Sequence, residues 1–153
     1  MPIELLSLLH ILATVVWVGG MFFAHQCLRP VALAVLEPQQ RLRLWRGVFA
    51  RFFVWVWLAV LILIGSGKGL IEAMGGSAAM PMHVHAMAGI GYLMAIIFAF
   101  IWFVPYRALR QAVDGEDWPT AANALNRIRI LVGVNLSLGL INITLIVLGP
   151  WLG

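Results

Sequence analysis

The sequence predicts an all-α integral membrane protein: a four-transmembrane-helix bundle forming a single domain over residues 1–153. Three observations carry this. Hydrophobic residues make up 63% of the chain and charged residues 10%, against roughly 45–50% and 25% in a soluble domain. So much apolar surface cannot be hidden in one water-soluble core, and lipid must be the solvent. Four apolar runs, at about 5–28, 48–71, 83–104 and 128–148, each reach the roughly 20 residues that a helix needs to cross about 30 Å of hydrocarbon. The basic residues between them sort to alternate connections.

Helices are required because, in lipid, only helices and closed barrels satisfy every backbone polar group. These runs are too long and too continuous for barrel strands. The first run opens Met1-Pro2-Ile3-Glu4, with no basic residue before it, and it exceeds the roughly 7–15 apolar residues of a secretory signal. It is expected to stay as a span. Ala32-Leu33-Ala34 imitates a cleavage site, but Arg29 and Pro30 separate it from the apolar run. The single cysteine, Cys27, permits no internal disulfide and reads as a small apolar filler.

Pro30 is expected to end the first helix and Pro105 the third. Between 31 and 47, Leu36, Leu42, Leu44 and Trp45 alternate with arginines, a pattern that suits a helix lying at the membrane interface. Residues 106–127 look similar but more polar. Trp118 and Trp151 suit the aromatic belts at the membrane surfaces.

The first connection holds Arg29, Arg41, Arg43, Arg46 and Arg51, and the third Arg107, Arg110, Arg127 and Arg129. The second has only Lys68, with Glu72, at its edge. By the positive-inside rule the arginine-bearing side is cytoplasmic. Both termini and the 70–82 loop then face outward, into the periplasm if the membrane is a bacterial inner membrane. Topology therefore accounts for the net charge of +4, and nucleic acid is not implied as a partner.

The halves resemble each other at an offset of 75 residues. His10 aligns with His85, Ala13 with Ala88, Trp17 with Tyr92, Phe23 with Phe98 and Pro30 with Pro105. A parallel two-helix duplication, related by an axis along the membrane normal, is one reading; chance identity between apolar helices is the other.

Four histidines stand out, because ionisable side chains within spans are costly and mark function by default. His10 and His85 sit at similar depth near the outer ends of helices running the same way. The His10 face carries Ala13, Thr14 and Trp17, and the His85 face carries Ala88, Gly89 and Tyr92. Two imidazoles facing each other across a bundle can hold a haem iron axially, with small residues making room for the macrocycle. The plainer alternative is a pair of interhelical hydrogen bonds. His83 points away from His85 and shares its face with Met80, Met87 and Met94. Thioethers with imidazole suit Cu(I), so Met80, Met82, His83, His85 and Met87 form a candidate copper entry site. Here too ordinary apolar filling is the alternative. His25 lies near the arginine-bearing end with no histidine opposite it, and reads as an interfacial residue.

Lys68 and Glu72 are one turn apart and could pair; alternatively Lys68 snorkels or meets a haem propionate. Gly65-Ser66-Gly67-Lys68-Gly69 lacks phosphate-loop spacing, and its glycines suit close helix packing. Asn135, Ser137, Asn142 and Thr144 give the fourth span a polar seam suited to interhelical hydrogen bonds. Nothing in the chain supports hydrolysis or phosphoryl transfer.

The stretch Leu9-His10-Ile11-Leu12-Ala13-Thr14-Val15-Val16-Trp17-Val18-Gly19-Gly20-Met21-Phe22-Phe23 resembles the opening helix of a bacterial membrane superfamily that includes the CopD-like copper-resistance proteins and the HemJ-type protoporphyrinogen oxidases. The HemJ-type branch implies a b-type haem held by a first-helix histidine, matching His10, with a lysine early in the third helix. His85 stands in that region here, a departure that argues against the oxidase activity and for two imidazole ligands. The CopD-like branch implies copper uptake, with the Met80–Met87 segment as its matching feature. Three expectations follow. The first is a b-type haem protein, ligated by His10 and His85, that moves electrons to or from a quinone, porphyrinogen or other redox partner and so acts as a membrane oxidoreductase. The second is a copper-handling protein, with a homodimer providing room for a path. The third is a cofactor-free helical subunit.

Overall fold

The computed structural model describes residues 1–152, with side chains through Trp151. Helix α1 covers Ile3–Phe22 and passes directly into a π-helical stretch, Phe23–Leu28, and then α2, Arg29–Val35. Helix α3 covers Pro38–Ala73. A 3-10 turn at Ser77–Ala79 leads to α4, Met82–Phe103, followed by α5, Pro105–Asp114, and α6, Trp118–Leu152. Four stretches are long and apolar enough to cross a membrane, so the chain is a multi-pass helical membrane protein.

The two prolines act differently. Val104 adopts φ −114°, ψ −80°, leaving the helix where a following proline disfavours the α region, and α5 restarts at Pro105. Pro30 does not end its helix. In an α-helix its ring would press on the carbonyl four residues back. Here the turn before it is widened, and the Arg29 N–H reaches the Ala24 carbonyl five residues away.

The interfacial helix expected over 31–47 is not formed. The chain bends at Leu36 (φ −106°, ψ 142°), and α3 begins at Pro38. Its start is fixed by a capping box in which the Glu37 N–H donates to Gln40 Oε1 at 3.2 Å, with proline in the first turn. From there α3 runs unbroken through the span. Its 36 residues extend about 54 Å, well beyond a hydrocarbon core of about 30 Å. The first turns of α3, and likewise of α6, therefore project on the arginine-bearing side.

The two halves share an element order: a spanning helix, a short helix with proline in its first turn, and a long helix. Helix α1 packs chiefly on α3, and α4 on α6. Aromatic rings tie the two pairs together. Phe49 stacks on Phe53 at 4.8 Å, Phe53 meets Tyr106 at 5.1 Å, and Trp57 meets Phe98 at 4.9 Å. Helix α5 buries Tyr106, Leu109, Ala112 and Val113 against Ala121, Ala124 and Ile128 of α6 and the aromatic cluster. It closes the bundle on that side instead of lying alone on the membrane surface.

The core is lopsided. Among the described residues beyond Ala13, Ser66 and Met94, toward the ends opposite the arginines, only Gly139 and Gly149 are buried. The helix pairs thus share little packing at the end that carries His10, His83 and His85.

Candidate functional site

His10 sits on the face of α1 turned to α3. Its Nδ1 is 2.8 Å from the Ser66 hydroxyl, and that hydroxyl donates to the Ile62 carbonyl at 2.6 Å. The hydroxyl thus links the imidazole to the backbone of α3. The ring also lies beside Gly67, where a Cβ would stand in ordinary contact, 3.4 Å from Cε1. Ala13 and Trp17 are buried beside it, and the Thr14 hydroxyl donates to the His10 carbonyl at 2.9 Å.

The α4 residues proposed to face His10 are placed otherwise. His85, Gly89 and Tyr92 are exposed and Ala88 is half-buried. No hydrogen bond joins His10 and His85 among the described residues. Lys68 and Glu72 are both exposed, with no ion pair between them among the described residues.

The Met80–Met87 segment divides in two. Met82, at 81% exposure, and exposed His85 stand three residues apart on the outward side of the first turn of α4. Met80, His83 and Met87 are half-buried. His83 presses against α6, where a Cβ on Gly149 would stand 2.7 Å from its Cγ. The Asn142 amide donates to the Met87 carbonyl at 3.2 Å, and Asn135 likewise to the Met94 carbonyl at 3.1 Å. These two asparagines realise the expected polar seam between α4 and α6. Ser137 and Thr144 bond only to carbonyls of their own helix. Among the described residues, no three His, Cys, Asp or Glu side chains converge as a metal cluster.

On the arginine-bearing side the structure adds a feature that the sequence does not announce. His25 and three arginines line a cavity between the π-helical stretch, α2, α3 and α6. The π-helical turn carrying His25 is the local sign of it, since such turns recur at functional positions.

Fold and sequence together define a polytopic helical membrane protein with methionine and histidine side chains at one end and arginines at the other. The family model for CopD, copper resistance protein D, matches residues 46–148. That is well over half of the chain, and the chain belongs to this family. No curated protein and no solved structure gives a significant match. The matched stretch takes in Lys68 and the whole Met80–Met87 segment, and leaves out α1 with His10.

Proposed function

We propose that this protein handles copper across or at its membrane, first taking Cu(I) through Met82 and His85. Membership of the copper resistance family supports the copper assignment. The observation that carries the site is the exposed Met82–His85 pair, three residues apart on one helix face inside the matched stretch. Side chains at that spacing are neighbours, and a thioether with an imidazole suits Cu(I) over harder ions. Half-buried Met80, His83 and Met87 offer further soft donors toward α6. In this reading the chain lies in a bacterial inner membrane with both termini and this segment on the periplasmic side, as the arginines at the other end support. The test is the copper content of cells expressing the chain. Content that departs from vector controls, and returns to the control value with Met82→Leu/His85→Leu at equal membrane abundance, is expected. A double variant as active as the parent overturns the assignment.

A second reading, a b-type haem with a redox role, is favoured by the Ile62–Ser66–His10 hydrogen-bond chain. That chain orients the imidazole as outer-shell partners of metal-binding histidines do. The donor chemistry fits at His10, whereas His85 stands exposed on another helix and would have to turn toward it. A haem bound there would supply one-electron chemistry; the chain would supply the oriented ligand and burial. An absorption spectrum of the purified protein, oxidised and dithionite-reduced, tests it. A reduced α-band that disappears with His10→Ala supports the reading, and absence of a Soret band under haem-replete expression ends it.

A further inference from the structure

The cavity on the arginine-bearing side has a volume of about 340 Å³. His25, Arg29, Arg41, Asn126 and Arg129 supply its polar lining, and aliphatic side chains with Trp45 supply the rest. No aspartate or glutamate lines it. Two of the four carboxylates on this side are paired elsewhere: Asp114 lies 2.9 Å from Arg46 and Glu116 3.6 Å from Arg43, both arginines outside the cavity. Among the described residues, Arg29, Arg41 and Arg129 have no acidic partner, and Arg129 donates only to Asn126 Oδ1, at 2.8 Å. Three guanidinium groups around one apolar-walled space repel one another until an anion joins them.

The site is also shaped. The π-helical turn carries His25, and its Nε2 lies 3.0 Å from where a Cβ on Gly133 would stand. The missing side chain lets that turn and its ring approach α6 and form the cavity wall. Guanidinium forks match the oxygens of a phosphate two at a time. Leu33, part of the apolar lining, is also 48% exposed, so apolar helix surface adjoins the arginines. That surface suits acyl chains and is of no use to a free ion. Basic pockets between transmembrane helices are a recurring means of holding lipid headgroups.

We propose that this cavity binds the headgroup phosphate of an anionic phospholipid, with its acyl chains on the adjoining apolar surface. The experiment uses the full chain, purified and delipidated in detergent. Native mass spectrometry follows binding of dioleoyl-phosphatidylglycerol and dioleoyl-phosphatidylcholine, and competition by inorganic phosphate. One phosphatidylglycerol is expected to bind about tenfold or more tightly than phosphatidylcholine. Arg29→Gln/Arg41→Gln/Arg129→Gln should weaken it by about tenfold or more, given the strength of charge-assisted hydrogen bonds. Arg51→Gln/Arg127→Gln, which removes two exposed arginines outside the cavity, should leave it unchanged. If the triple variant does not fold, Arg41→Gln alone should still fall below this control. Equal loss in the control reduces the effect to general surface charge and overturns the proposal, as does undiminished binding by the cavity variants. Displacement of the lipid by inorganic phosphate at matched concentration would assign the cavity to a free anion and overturn the lipid.

Discussion

The Nδ1 of His10 and the hydroxyl of Ser66, 56 residues apart in the chain, lie 2.8 Å from each other and join α1 to α3. Ser66 is buried and lies within hydrogen-bond distance of a carbonyl of its own helix as well. The contact therefore holds two spans together. Ser66→Ala should lower stability by about 1 kcal/mol, the usual scale of an interhelical hydrogen bond in a membrane. Unfolding in mixed detergent reads this directly. A double-mutant cycle with His10→Ala should return a coupling of the same size, and zero coupling would mean that the bond is not formed.

The approach of α6 to α4 rests on Gly149. A methyl group there would stand 2.7 Å from Cγ of His83 and 2.8 Å from its Cβ, closer than side-chain carbons pack. Gly149→Ala should cost about 1–3 kcal/mol, as overpacking does. Most of that cost should vanish when His83→Ala is added, again read by detergent unfolding. Additive effects of the two changes would show that the ring and the glycine do not meet.

Phe53 sits at the centre of the aromatic cluster at 1% exposure, whereas Trp55, two residues on, is 61% exposed. Phe53→Ala should cost about 3–5 kcal/mol, as a buried aromatic truncation does. Trp55→Ala should stay within about 0.5 kcal/mol, because it leaves no cavity. Similar costs at the two positions would contradict the packing.

The spans were legible in the sequence because length and continuous hydropathy are what a bilayer selects. The Asn135 and Asn142 seam was legible for a related reason: amides within a span need partners, and carbonyls on the next helix are the nearest. The joint at 23–38 was misread. Pro30 breaks an α-helix only if the preceding turn is an α turn, and the widened Phe23–Leu28 turn removes that condition. The true boundary was written in Glu37-Pro38-Gln39-Gln40, a helix start that the arginine pattern overshadowed. Which faces meet across the bundle was not legible. His10 and His85 match in depth and in neighbouring residue types, but their facing depends on which helices become neighbours, and α1 chooses α3. The arginine-lined cavity was hidden for the same reason, since its walls come from widely separated stretches of chain.

Capture of Cu(I) by Met82 and His85 is tested by titrating the purified protein with Cu(I) against a competing colorimetric chelator under anaerobic conditions. One equivalent held by the parent, and lost in Met82→Leu and in His85→Leu while His10→Ala retains it, is the predicted result. Retention by both α4 variants, or no binding by the parent at all, would contradict it.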